Sequence, residues 1–254
     1  MSISVKATNQ YGYSATYKLN GASISLTNVD GLTPPKANIS TTPIATKDGS
    51  IFTNAQTENR NIVLTFDITG VKPEIVRTGL YYYFKVKEPV SLEIKTATRT
   101  AKIDGYVESI TGAPFTQRQQ IQISIICPEP YFLSAAGYYS ESTGSVNVVT
   151  SSDTAHGAVF TITFAGSASA ATLSNGYTGQ SMAFAGTYIN GDKLVIDTRQ
   201  GKKSVKLNGV NALNNLDLST VEWLTLIPYE NNVISVTPNT ATIRVDNNTY
   251  YEGL

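Results

Sequence analysis

The sequence predicts a mainly β protein whose second half is a β-sandwich or jelly roll of about 110–120 residues. Three observations lead there. Short polar side chains dominate: 32 Thr, 23 Ser and 19 Asn stand among 254 residues, beside 15 Tyr, 19 Gly and 10 Pro, the profile of strands broken by many turns. Apolar and polar residues alternate in most segments, the period of a half-buried strand. One segment alone shows helical spacing. The length allows one large domain or two smaller ones. Composition shifts toward small polar residues after Phe132, so the expected domains are 1–132 and 133–254.

Residues 11–29 read as two short strands around Asn20-Gly21, the preferred two-residue hairpin turn, with Ile24, Leu26 and Val29 in alternation. RNIVLTFDIT (60–69) places Ile62, Leu64, Phe66 and Ile68 on one face. Between them, residues 30–59 hold three prolines and scattered apolar side chains: Leu32, Ile39, Ile44, Ile51 and Phe52. The segment is too long for an ordinary connection, and such side chains suit permanent exposure poorly. It reads as a surface loop or as an arm ordered against another subunit, with those five residues as interface candidates.

PEIVRTGLYYYF (73–84) predicts the helix. Pro73 suits its first turn, Glu74 its positive end, and Ile75, Val76, Leu80, Tyr83 and Phe84 share a side. Tyr81, Tyr82 and Tyr83 point about 100° apart on a helix, so they read as packing rather than one stacking platform. VSLEIKTA (90–97) and RTAKIDGYVESI (99–110) predict a hairpin or bulged pair. QIQISIIC (120–127) sets Ile121, Ile123, Ile125 and Cys127 on one face and stops at Pro128 and Pro130.

In the second half, Val159, Thr161 and Thr163 alternate with Phe160, Ile162 and Phe164. GDKLVIDTRQGKKSVKLNG (191–209) predicts a hairpin about Gln200-Gly201 that pairs Leu194 and Ile196 with Val205 and Leu207. Strands are expected at VEWLTLIP (221–228), NVISVTP (232–238) and ATIRVDNNTYY (241–251).

Several functions are excluded on composition. Nineteen basic residues balance nineteen acidic ones, without the surplus that binds DNA or an acidic membrane. One Cys and one His rule out an internal disulfide and a Cys/His-rich metal site, and no cofactor motif occurs. No apolar run reaches the ~18–20 residues of a membrane span. MSISVKATNQYGYS lacks a basic and an apolar leader region, so folding in a reducing cytoplasm is expected.

No catalytic residues are expected. His156 in SSDTAHGAV stands apart from any nucleophile motif. Asp192 and Asp197 bracket one strand on opposite faces, unlike the paired carboxylates of a glycosidase. Asp246-Asn247-Asn248 lacks calcium-loop spacing. Cys127 reads as a structural thiol, and Arg199, Lys202, Lys203 and Lys206 as a solvated hairpin tip. Trp223, on a face with Val221 and Thr225, reads as packing. Tyr138, Tyr139, Tyr177 and Tyr188 stand as possible sugar contacts.

The strand running into CPEPYF (127–132), the hairpin at 191–209, LTLIP (224–228), NNVISV (231–236) and a closing IRV with Tyr (243–251) together resemble the siphophage distal tail protein family. So do the length and the LYYYF helix end ahead of a Pro-led strand. Family members often carry Pro-Gly-x-Asn where this chain has Pro228-Tyr229-Glu230-Asn231. The resemblance implies an N-terminal β-sandwich with one helix and a long arm, and a galectin-like C-terminal β-sandwich. It implies a homo-hexameric ring at the tail tip of the virion. Its partners would be a tail tube protein, a tail-associated or tail fibre protein and a receptor-binding protein, without sequence-specific nucleic-acid binding or membrane insertion. Neither an inserted sugar-binding module nor the usual galectin sugar-binding residues are recognisable. The rival reading is a host-cell-wall carbohydrate-binding module or adhesin.

Overall fold

The computed structural model describes residues 3–45, 48–69, 72–113, 119–219 and 222–254. It forms two compact units, Met1–Ala135 with Tyr251–Leu254, and Ala136–Tyr250. The boundary falls three residues beyond the expected one, and the last four residues belong to the first unit rather than the second.

The first unit runs β1 (Ser4–Asn9), β2 (Ser14–Lys18), β3 (Ile24–Asp30), β4 (Ala37–Pro43), β5 (Ser50–Thr57), β6 (Arg60–Ile68), α1 (Pro73–Tyr83), β7 (Pro89–Lys95), β8 (Thr100–Gly112), β9 (Gln119–Cys127) and β10 (Phe132–Ser134). Its main sheet has the order β2-β1-β7-β8-β9-β6-β3. Consecutive strands β2 and β3 are the two ends of that path and touch each other, so the sheet curls around its core.

This corrects the expected hairpin at Asn20-Gly21: both strands exist, but β2 pairs with β1 and β3 with β6. The turn that wins lies earlier. Asn9 Oδ1 accepts the N–H groups of Tyr11 and Tyr13, both at 3.1 Å, and Gly12 takes a positive φ of 82°. That local bonding closes β1 onto β2 before β3 is reached.

Ile62, Leu64, Phe66 and Ile68 of β6 meet Ile121, Ile123, Ile125 and Cys127 of β9 in one core, all buried. Leu80 and Phe84, one helical turn apart, close it from α1, and Phe84 joins Tyr17 and Phe66 in an aromatic cluster with centroids 5.0–6.2 Å apart. The buried stripe of α1 is narrower than expected: Ile75, in the first turn, is exposed.

Arg60 opens β6 and is buried at 3% exposure. Its guanidinium donates to the carbonyls of Gly31, Thr33 (2.6 Å), Pro130 and Glu252 (2.6 Å), and it lies 4.3 Å from the Phe132 ring centroid. Burial pushes its pKa down, yet an arginine stays charged in a protein. One cation thus holds the exit of β3, the start of β6, the segment before β10 and the chain end. Leu254 N–H adds a bond to Leu32 O at 2.9 Å. These contacts are why Tyr251–Leu254 belong to this unit.

The second unit contains β11 (Tyr138–Thr143), β12 (Ser145–Val148), β13 (Val159–Thr163), β14 (Ala168–Asn175), β15 (Ser181–Tyr188), β16 (Lys193–Asp197), β17 (Ser204–Leu207), β18 (Val210–Asn211), β19 (Asn232–Thr237) and β20 (Thr242–Asn247). β21 (Tyr250–Tyr251) follows at the boundary. A six-stranded sheet, β11-β20-β13-β16-β17-β18, and a four-stranded sheet, β12-β19-β14-β15, share one core. The hairpin at 191–209 has the expected register, with Leu194 opposite Leu207 and Ile196 opposite Val205.

The expected strand at 221–228 is a correction; Val221 lies outside the described residues. Leu224 and Leu226 are buried as alternation requires, but in place of a continuous ladder the described residues show isolated bridges at Leu226 and Pro228 and a 3.4 Å bond from Glu222 N–H to Ser181 O. Side chains replace the missing ladder. Gln180 Oε1 accepts Thr225 N–H at 2.9 Å, Asn175 Nδ2 donates to Thr225 O at 2.8 Å, and Asn232 Oδ1 accepts Ile227 N–H at 2.9 Å. Trp223 packs partly buried on the core with Lys203 Nζ 5.2 Å from its ring centroid. In the following turn Tyr229 has φ 61° and is well exposed, a left-handed position that favours glycine.

His156 is buried and stacked on Tyr250, with centroids 4.3 Å apart. Nδ1 lies 3.0 Å from Thr154 O and Nε2 2.8 Å from Asn247 Oδ1, an arrangement in which only the imidazolium donates twice. Burial pushes the pKa down. The neutral ring satisfies both contacts once the Asn247 amide is reversed so that Nδ2 donates to Nε2.

Three measurements check these assignments. Arg60→Met strips four carbonyls of their donor and is expected to cost about 3 kcal/mol in denaturant unfolding. Tyr229→Gly relieves the left-handed strain and is expected to raise stability by about 0.5–1 kcal/mol. Because the His156 pKa is lower folded than unfolded, stability is full above the unfolded pKa of about 6.5 and falls as pH drops toward the depressed value. Thermal unfolding between about pH 7.5 and 5 should show that loss, and His156→Gln should flatten it.

Candidate functional site

The 30–59 segment is ordered in its centre as a hairpin of β4 and β5, which pair only with each other. Every residue of both strands is exposed. At its root Lys36 O accepts Glu58 N–H at 2.8 Å, and the Thr57 hydroxyl meets the Tyr131 hydroxyl at 3.3 Å. Arg60 fixes both ends through Gly31, Thr33 and its own place in β6.

The register gives the arm two faces. Asn38, Ser40, Gln56 and Asn54 share one of them. Ala37, Ile39 and Ala55 lie on the other, and a bulge between Ser40 and Thr41 re-phases β5 so that Phe52, opposite Thr41, joins Ile39 there. Ile39 is 61% exposed and Phe52 63%. Ile51 is equally exposed on the opposite face beside Thr42, and Ile44 is exposed near the turn. Leu32 differs from these four: it packs against the core of its own unit, and its carbonyl holds Leu254.

A second apolar surface of this unit escaped the sequence reading. Tyr11, Tyr13 and Tyr82 are exposed, with Tyr13 and Tyr82 ring centroids 5.7 Å apart and Lys85 Nζ 5.3 Å from the Tyr11 centroid. Asn9 Nδ2 donates to Tyr82 O at 3.4 Å and so ties the β1–β2 turn to the end of α1. The Asn9-to-Gly12 turn was the available signal.

The possible sugar contacts separate in the structure. Tyr188 is fully buried, stacked on Phe164 at 4.3 Å and 5°, because its position in β15 faces the core; it is withdrawn as a surface contact. Tyr177 is exposed on the turn after β14, where its N–H is held by Asn175. Tyr138 and Tyr139 line a hollow of about 390 Å³ on the second unit with Arg199, Arg244 and Asp246.

The remaining polar candidates have structural partners. Asp192 accepts Ile189 N–H and Asn208 Nδ2, both at 2.9 Å, and the Asn208 bond leads in holding its carboxyl below the usual range. Asp197 pairs with Arg199. Burial pushes the Cys127 thiol up to about 12, so no thiolate forms near neutral pH. Among the described residues, no group of three His, Cys, Asp or Glu is placed to hold a metal, and no helix is long and apolar enough to cross a membrane.

Comparison with known proteins adds sequence and fold evidence. Residues 151–250 match the family described as siphovirus-type tail component, C-terminal domain. No curated protein matches the chain. Among solved structures, the chain is similar to the Dit (gp 19.1) protein of phage SPP1, described as a paradigm of hub adsorption apparatus in Gram-positive-infecting phages. The TM-score is 0.77 at 15% identity, covering 96% of this chain and 98% of that one. It is also similar to chains of the phage P2 baseplate in its activated conformation, with Ca at TM-score 0.51 and 9% identity, and with Sr at 0.53 and 8%. Each covers 97% of this chain and 98% of the other. The chain therefore shares the mainly β fold of the SPP1 Dit protein over nearly its whole length, and residues 151–250 within its second unit are similar to the C-terminal domain of siphovirus-type tail components.

Proposed function

We propose that this chain is the structural hub of a phage tail tip, forming a hexameric ring that joins the tail tube to the adsorption apparatus. The observation that carries this reading is the arm. An isolated two-stranded hairpin is marginal in water, and β4–β5 exposes both strands while its bulge gathers Ile39 and Phe52 on one face. A neighbouring subunit supplies the missing packing.

A ring needs head-to-tail contacts between two different patches on each chain. The arm is one, and the surface around Tyr11, Tyr13 and Tyr82 is the apolar counterpart on the same unit. Such an interface must bury on the order of 1,000 Å² or more in total. The hub works by geometry rather than by chemistry. Ring symmetry sets the symmetry of what attaches: a tail tube protein on one side, and tail-associated, fibre or receptor-binding proteins on the other.

Six copies of 27.3 kDa make about 164 kDa. Light scattering on the purified chain should find that mass, and the double change Ile39→Asp with Phe52→Asp should release 27.3 kDa monomers that still unfold cooperatively, at a melting temperature no higher than that of the ring. A native chain that stays monomeric at every concentration, or a double variant that still forms the ring, would contradict the proposal.

A further inference from the structure

The outer face of the six-stranded sheet carries a built polar hollow that the hub role does not use. Strand register places Tyr139, Asp246, Val159 and Asp197 in one row across β11, β20, β13 and β16. The next row includes Glu141 opposite Arg244. Arg244 and Asp246, two residues apart on β20, share that face. Arg244 Nε lies 2.9 Å from Asp246 Oδ2, and Nη2 2.6 Å from Oδ1. The guanidinium sits 4.0 Å from the Tyr139 ring centroid, while Tyr139 remains 60% exposed.

Neighbouring contacts fix the walls. The Tyr138 hydroxyl lies 2.9 Å from the side-chain amide of Asn247, whose other end is anchored on His156. Arg199 reaches the hollow because the chain at Gly157 runs tight against Thr198: a Cβ there would come within 2.3 Å of Thr198 O. Arg199 is itself paired with Asp197, Nη2 to Oδ2 at 2.6 Å.

The chemistry selects the ligand. The volume of about 390 Å³ lies at the small end of the ~300–1,000 Å³ of ligand pockets. Both guanidiniums are matched by carboxylates on their own strand or turn, and Glu141 stands beside Arg244. The hollow therefore offers no net positive field for a phosphate or carboxylate. It offers a fixed aromatic plate, a carboxylate with acceptor capacity, a guanidinium whose Nη1 lies outside the Asp246 pair, and a tyrosine hydroxyl. An aromatic face beside paired donors and acceptors suits a ring that has both C–H faces and vicinal hydroxyls.

We infer that this hollow, built on Tyr139, Arg244 and Asp246, is a binding site for a neutral saccharide. A shallow, half-open site predicts weak single-site binding, with Kd on the order of 1 mM. All its residues lie within Ala136–Tyr250, so the inference stands or falls independently of the arm and of ring formation.

Saturation-transfer NMR on the full chain with glucose, galactose, N-acetylglucosamine and rhamnose, and with glycerol phosphate as the anionic probe, tests it. At least one neutral sugar should bind. Tyr139→Ala and Asp246→Asn should each weaken that binding at least tenfold, and Tyr177→Ala should leave it unchanged. Val159→Trp, beside Asp246 in the row, fills the hollow and should abolish binding while the melting curve is retained. Binding of no neutral sugar, preference for glycerol phosphate, or sugar binding that survives Tyr139→Ala and Val159→Trp would overturn the inference.

Discussion

The first unit depends on one buried cation. Arg60 spreads its guanidinium over four main-chain carbonyls drawn from three separate stretches of chain. Loops normally keep their polar groups in water; here the strand exit at 31–33, the approach to β10 and the chain end converge on the buried Arg60 side chain. A guanidinium has five N–H groups in a rigid plane, so a single side chain answers several carbonyls at once. The Phe132 ring covers it and limits its access to water. With the roots of β4 and β5 pinned in this way, the hairpin projects with a defined base although every residue of both strands is exposed.

The second unit solves the same problem with amides. Asn232 is fully buried, and its Nδ2 lies 2.9–3.1 Å from the carbonyls of Val148, Ile227 and Glu230. Its Oδ1 takes the Asn175 amide and Ile227 N–H. Together with Gln180 these side chains hold 224–228 as an extended segment whose apolar residues stay in the core without a strand partner. Both units thus place main chain where sheet pairing stops, and both satisfy it with planar polar groups. No buried side-chain nitrogen or oxygen among the described residues lacks a partner.

Much of this was legible in the sequence. Period-two alternation identified β6, β9, β13 and the β16–β17 hairpin down to the facing residues, because each has one buried face whose pattern cannot slip by a residue. The exposed apolar residues of 37–57 were recognisable as unusual. What alternation cannot carry is which strands become neighbours. Asn20-Gly21 promised a hairpin, but the sheet closes the long way round. Nor does alternation separate a laddered strand from one held by amides, as at 224–228, or show that Tyr188 turns inward while Tyr139 turns out. The roles of Arg60 and of the Arg244–Asp246 pair arise from residues far apart in sequence or from a shared face, and only the second leaves a trace, the two-residue spacing on β20.

The central claim is that β4–β5 is completed by another copy of the chain. Hydrogen exchange read on residues 37–57 tests it most directly, comparing the assembled protein with the Ile39→Asp, Phe52→Asp variant. The account predicts that the arm amides exchange about 100-fold more slowly in the assembled protein, while the amides of β6 and β9 exchange alike in both. Equal, fast exchange of the arm in both proteins would contradict it.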